Sequence, residues 1–480
     1  MCSRKMIGCL LLGGALACVL LLSACTRDVS VGGAAGSDED RAVEAHLDTT
    51  GVSSGARRWV ASYGGTGSDW VEWIVEKPGG GYILAAGSDS FGAGLHDYWV
   101  LSLSADGNLE WQEAIGGSSR EWPESAAVAP DGGSIIAGQT YSFGSGGSDA
   151  WLVRIDGDGE VIWEKAYGGG ADDWAVSVAS QPSGTYVVYG GTASWGVGKT
   201  DILLFEVDAV GEVLWEKRYG GPGDDAPVAL QQLEDGGFLL TGATDSFGSG
   251  GVDAFALRLD EEGQIVWESA YGGAADDYPW WAGQTSDGGF VLAGGTYSFG
   301  AGEFDAWLVR LDSSGQIEWQ KTYGGTANDW FVYVSESDDG ELVAIGAAAA
   351  ESDNLKDVWL VTLDSAGSIV SQCGFGGESS DAPEYACQLA DGTYILAGRS
   401  VSFGRGIDDC WVVKLDEGAC EADDDCATRD VVLSASSEAQ AVAVASGFAV
   451  QEPTERTLVM VDTAAVVTST EAQVQFQCPE

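Results

Sequence analysis

Carboxylates and aromatic rings at a fixed spacing are the residues best able to do chemistry in this chain. Acidic residues stand at Asp69, Glu121, Asp173, Asp225, Asp277, Asp329 and Asp381, 52 positions apart each time. At three of these places a second carboxylate comes just before, which gives the pairs Asp172 and Asp173, Asp224 and Asp225, and Asp276 and Asp277. Hard cations such as Ca²⁺ take several oxygen ligands, so a Ca²⁺-binding sector is one reading of the pairs. Capping of loop backbone together with solvated charge is the other. An aromatic often follows the acidic position, as Trp70, Trp122, Trp174, Tyr278 and Trp330. Slightly further along come Trp73, Trp280, Trp281, Tyr333 and Tyr385. Aromatic faces beside carboxylates can stack on sugars or anchor a peptide, which makes these ten residues candidate ligand-binding positions. Packing between repeats is the alternative for each.

Catalytic constellations are nearly absent. The only histidines are His46 and His96, and His96 has no identifiable nucleophile partner, so it is expected in an exposed loop. Gly51-Val52-Ser53-Ser54-Gly55 matches the hydrolase nucleophile motif but lacks the flanking strand and helix that the motif requires. Asp156-Gly157-Asp158-Gly159 has the start of a calcium loop without its terminal Glu, and it falls where a hairpin turn is expected. Lys and Arg total 22 against 74 Asp and Glu, a net charge of −52. That balance excludes a nucleic-acid partner, because phosphate binding needs a basic face. It suits a saline or calcium-rich exterior.

The elements that must position these residues follow from the repeat. Tyr63, Ile115, Tyr167, Tyr219, Tyr271, Tyr323 and Phe375 each precede Gly-Gly. Asp97, Asp149, Asp201, Asp253, Asp305, Asp357 and Asp409 keep the same register, as do Trp59, Trp111, Trp163, Trp215, Trp267 and Trp319. Within one unit, 167–218, apolar and β-branched runs alternate with Pro-Ser-Gly and Asp-x-x-Gly turns, giving four short strands and no helical period. Four strands per unit predicts propeller blades. The seventh unit lacks its last-strand Trp, since Asp423 stands there, whereas Arg57–Ser62 carries Trp59 in register. The chain is therefore expected to be all-β, a seven-bladed β-propeller over 57–416. Its N-terminal strand should complete blade seven beside Cys410–Asp416. The Asp97 column is expected to bind loop N–H groups, and the Trp59 column to pack the blades.

Tyr271-Gly272-Gly273, Asp287-Gly288-Gly289 and Ser298-Phe299-Gly300, continued by Asp305-Ala306-Trp307, resemble the bacterial and archaeal tandem β-propeller repeats, often described as PQQ-like. The resemblance covers about 57–416 and implies the fold. It does not extend to a quinone pocket. At the N-terminus Arg4 and Lys5 precede an apolar stretch from Ile7 to Leu22, the pattern of a secretion signal. Leu22-Ser23-Ala24-Cys25 resembles a bacterial lipobox. The resemblance implies that 1–24 are removed, that Cys25 carries acyl chains, and that the membrane is a partner through this anchor. Thr26 in place of Asp implies the outer membrane. Residues 25–56 then form a tether.

Six cysteines follow the signal: Cys373, Cys387, Cys410, Cys420, Cys426 and Cys478. An even number in an exported chain predicts disulfides, here expected to clamp residues 417–480 to the closing blade. That tail leaves the repeat, and its apolar runs predict a small β extension. The expectation for function is a non-enzymatic, lipid-anchored envelope protein that binds a protein or glycan on one propeller face, with Ca²⁺ as the candidate ion. The alternative is a periplasmic or surface enzyme, quinoprotein-like or glycan-cleaving.

Overall fold

The computed structural model describes residues 59–416, apart from 350–354, 378 and 405, and six short strands between 428 and 475. Residues 1–58, with Cys25 and the tether, lie outside the described residues. So do Cys420, Cys426 and Cys478. No helix among the described residues is long and apolar enough to cross a membrane.

Seven antiparallel sheets form a seven-bladed β-propeller. Blade one shows the plan. Asp69–Glu76 is the innermost strand, followed outward by Tyr82–Ser88, Asp97–Leu103 and Leu109–Gly116. The second and third strands are buried along their whole length in this blade. That is why they read as continuous apolar runs and not as alternating ones. Turns between the first and second strands use glycines such as Gly288, at φ +81°, a region that side chains with a Cβ rarely enter. Blade seven is closed as the register requires: Trp59–Gly64 pairs with Asp409–Leu415, Tyr63 opposite Cys410 and Trp59 opposite Lys414. The N-terminal strand and the last three strands of the repeat thus share one sheet, and no edge is left open at the seam.

The aromatic columns join neighbouring blades. The indole N–H of Trp59, Trp111, Trp163, Trp267 and Trp319 donates to a turn carbonyl of the next blade, at 2.9–3.1 Å. The Tyr hydroxyl of the Tyr-Gly-Gly motif reaches the same turn, as in Tyr167 to the Gly211 carbonyl at 2.8 Å. Trp215 departs from this pattern and bonds Glu206 of its own blade.

The tail, expected as a small β extension, forms a belt around the ring. Thr428–Arg429, Ser434–Glu438, Ala449–Gln451, Val459–Asp462, Val466–Ser469 and Gln473–Gln475 lie antiparallel on the outer strands of blades six, five, three, two, one and seven, in that order. Each adds a fifth strand to a blade edge through backbone hydrogen bonds. The chain therefore circles back over every described blade except the fourth. Covered edges resist unwanted strand pairing. A chain ending at Asp416 is expected to unfold at least about 3 °C lower and to self-associate, measured by calorimetry and light scattering. An unchanged transition in a monomer would show that the belt contributes nothing.

Cys373, on the outer strand Ile369–Phe375 of blade six, is disulfide-bonded. Cys387 and Cys410 were expected in disulfides and are instead free thiols. Both serve as small apolar groups within the packing of blade seven, Cys410 directly under the closing strand. Burial raises both thiols, Cys387 to about 12, so neither forms a ready thiolate.

Candidate functional site

The loops on the top face explain the glycine motifs and take up most of the acidic columns. The Asp97 column caps the loop before its own strand. Asp97 accepts from Gly94 N at 2.9 Å, Asp201 from Gly198 N at 3.0 Å and Asp409 from Gly406 N at 2.8 Å. The same carboxylates press on the first Gly of every Gly-Gly except that of Gly324, which meets Asp329 instead: a Cβ on Gly116 would lie 1.6 Å from Asp97 Oδ1. The second Gly makes room for the following loop, since a Cβ on Gly117 would lie 2.4 Å from Ser142 Cβ.

The paired carboxylates proposed for Ca²⁺ are occupied in the same way. Asp173, Asp225 and Asp277 accept from the N–H groups of Gly169, Gly221 and Gly273 at 2.6–2.7 Å. Asp172 and Asp276 accept from Ser148 N and Val252 N, both at 2.9 Å. Asp224 pairs with Lys199 at 2.9 Å. Among the described residues no three His, Cys, Asp or Glu side chains come together as a metal site. Loop capping accounts for five of these carboxylates and the Lys199 ion pair for Asp224.

The aromatics divide into groups. Trp70 and Trp174 are buried, lying over Gly87 and Gly191 of the adjoining strands, where a Cβ would come within 2.4 and 2.3 Å of the ring. Trp70 and Trp122 also bracket His96, with ring centroids 5.4 and 5.0 Å away, so His96 is half-buried rather than a free loop residue. Tyr278 and Trp280 gather on Phe304. Trp330 stands apart under Lys356, whose ammonium is 4.2 Å from the ring centre. Trp73, Trp281, Tyr333 and Tyr385 converge from blades one, five, six and seven. Trp73 stacks on Tyr385 at 3.8 Å, Trp281 touches Trp73 at 6.2 Å, and Tyr333 lies 5.3 Å from Trp281. Blades one and five face each other across the ring, so this cluster plugs the central channel.

Just above the plug the inner strand of every blade carries a β-bulge at the same register, between Val71 and Trp73 in blade one and between Pro383 and Tyr385 in blade seven. A bulge leaves one residue unpaired and re-aims its side chain. The bulged residues are Glu72, Glu124, Val176, Val228, Trp280, Val332 and Glu384. Three glutamates on consecutive blades seven, one and two thus face an apolar half-ring. Their fields act on one another. Burial and then Glu384 push Glu72 up to about 8, with Arg399 and Trp70 opposing. Burial, Glu72 and Glu384 hold Glu124 well above the usual carboxylate range.

Arg399 is the basic residue at this level. On the second strand it pairs with Ala382, as Gly87 pairs with Trp70 in blade one. Where blade one has a large indole over a glycine, blade seven has a small alanine beside an arginine. The guanidinium occupies that space and donates to Glu384 Oε1 from Nε at 2.9 Å and Nη2 at 2.7 Å. Sequence reading singled out Trp73, Trp280, Trp281, Tyr333 and Tyr385 but passed over Glu72, Glu124, Glu384 and Arg399. The signal for them was the unequal composition of the column that starts at Glu72.

No protein-family model matches the sequence, and no curated protein does. Among solved structures the chain is similar to a protein of unknown function from Dyadobacter fermentans DSM 18053, with 11% identity and a TM-score of 0.41, over 76% of this chain and 99% of that one. It is similar to puromycin hydrolase at 16% identity and a TM-score of 0.37, over 71% of this chain and 52% of that one. It is also similar to an endo-arabinase from Bacteroides thetaiotaomicron VPI-5482 at 12% identity and a TM-score of 0.27, over 61% and 92%. Likenesses this distant bear on no activity.

Proposed function

We propose that the protein is a non-enzymatic, lipid-anchored component of the bacterial envelope, held in the outer membrane through Cys25, whose propeller binds a protein or glycan at the mouth of its central channel. The observation that carries this reading is the bulge column. On the top face the repeated acidic columns are spent on loop N–H groups. At the bulges the residues differ between blades and serve no loop, so they are available to a ligand. The mouth of a propeller channel is a setting in which ligand sites form, and here Trp280 stands beside it with the Trp73 and Tyr385 stack below; we call this mouth the funnel. The lipobox-like segment and the acidic tether support export and anchoring. Ca²⁺ dependence is not part of this reading, because the loops hold the paired carboxylates.

A second reading has its own support. Glu72, pushed up to about 8, lies near Glu384, which carries an arginine. A protonated carboxyl beside a second one is the arrangement of a glycan-cleaving acid and its partner. The two readings separate in one experiment. Mature protein from Cys25 is immobilised and exposed to envelope extract, in parallel with a Glu72→Gln, Glu384→Gln variant. Retention of a glycan or protein that the variant loses is expected, with the retained glycan uncleaved. Shortened glycan chains released by the wild type alone would establish the enzyme instead. Fatty-acid labelling is expected on the wild-type chain and not on Cys25→Ser; label on both would remove the anchor.

A further inference from the structure

We infer that the channel mouth takes a nitrogen cation, a guanidinium or primary ammonium at the end of a slender chain, received between Glu72, Glu124 and Glu384 above the aromatic plug. This rests on the funnel being a binding site and names what it binds.

Charge is the first argument. Three carboxylates face one another across three consecutive inner strands, and the guanidinium among them, Arg399, spends both of its contacts on one oxygen of Glu384. The second argument is an atom. Oε1 of Glu124 is sealed from solvent and has no hydrogen-bond partner. An oxygen in that state loses its hydration without compensation, and a cationic donor that displaced the groups covering it would give it a partner. The third argument is the surroundings. Trp280 stands in the same bulge column, and Trp73 and Tyr385 stack below. Aromatic faces attract cations, guanidinium more often than ammonium. The plug also makes the funnel a dead end, so a ligand enters tip first.

Other ligands fit less well. A hard metal ion wants several oxygens at coordination distance, and among the described residues no three His, Cys, Asp or Glu side chains stand close enough together to hold one. An anion would meet three carboxylates and a guanidinium already engaged. Two sources supply the cation: a free polyamine, or an arginine or lysine side chain of a partner protein.

Titration calorimetry on the mature chain tests this with three probes: spermidine, an arginine-rich peptide and Ca²⁺. Binding of spermidine, the peptide or both is expected. Spermidine alone points to a free polyamine and the peptide alone to a protein side chain. Glu124→Gln is expected to weaken binding about tenfold or more. Arg399→Ala removes a competing cation and is expected to tighten it, a gain that misfolding cannot imitate. Glu72 is faced by Glu124, Glu384, Arg399 and the Cys410 thiol, and its carboxyl is pushed up to about 8. Cation binding at pH 7 should therefore release a proton, and the measured heat should change with the ionisation heat of the buffer. Cation binding that ignores both substitutions overturns the site. Uptake of Ca²⁺ with the same dependence on Glu124 overturns the ligand class. Retention of an envelope ligand with no binding of either cation also overturns it, but leaves the platform standing; loss of both fails the two readings together.

Discussion

Acidification from pH 7.5 to pH 5 should raise the melting temperature of this protein by roughly 5–10 °C, against the usual direction of acid denaturation. The cause is the double ring of buried carboxylates under the top loops. Burial pushes Asp97, Asp253 and Asp329 up to about 6, and raises Asp173, Asp225 and Asp277 as well. Unfolded, each titrates near the ordinary value of 3.8. Between these values the folded chain binds more protons than the unfolded one, so stability falls as pH rises from about 4 through 6. Glu72 extends the window toward 8. A rise from 3.8 to about 6 corresponds to roughly 3 kcal/mol between protonation states, an upper bound for each group once the site relaxes. Exposed turn carboxylates act in the opposite sense. Asp131, held down by its hydrogen bond from Arg154, and Asp287, held down by the Gly289 N–H, stabilise above 3.8 and lose that contribution as pH falls below it. A maximum near pH 4–5 follows. General repulsion at a charge of −52 also weakens on acidification, but salt screens it. The slope should therefore persist in about 1 M NaCl. A melting temperature that is flat or falling from pH 7.5 to 5 in high salt would refute the buried ring as its source.

Gly116→Ala should lower stability by about 3 kcal/mol or more at a position where composition suggests only a loop glycine. The added methyl carbon would stand 1.6 Å from Asp97 Oδ1 and 2.8 Å from Glu121 Oε2. The two carboxylates are held by loop N–H groups on both sides, so neither can move without leaving a cap unpaired. Gly132→Ala is the control. Its φ is +89°, and nothing stands within 4 Å, so it bears only backbone strain of about 1 kcal/mol. Urea midpoints of the two variants measure the difference. Equal losses would mean that backbone conformation, and not the aspartate, requires the motif. Asp97→Ala combined with Gly116→Ala should recover part of the loss, as touching residues couple.

The fold was legible because a ring of seven equivalent blades repeats its constraints. The blades need two small residues where, in blade one, Asp97 and Phe143 press on the Gly116-Gly117 loop, and an acceptor for Gly117 N, and most outer strands carry a Trp that reaches the next turn. Residue type and spacing record those needs directly, and the missing Trp at Asp423 placed the closing strand. Loop capping by the Asp97 column was legible for the same reason.

The belt was not. A fifth strand joins a blade through backbone N–H and C=O groups, which every residue carries, so Ser434–Glu438 and Gln473–Gln475 bear no side-chain mark of where they pair. The channel ring was half legible. Its aromatics stood out, but Glu72, Glu124 and Glu384 carried no mark in the repeat that singled them out. Only strand pairing shows that they are bulged, because a bulge is defined by the partner strand's register. Sequence alone therefore determined the blade, its sevenfold count and its closure, all set by contacts at fixed separations along the chain. Tertiary structure decided which side chains meet at the axis. There the seven inner strands converge from positions more than 300 residues apart, and no periodic signal records such a meeting.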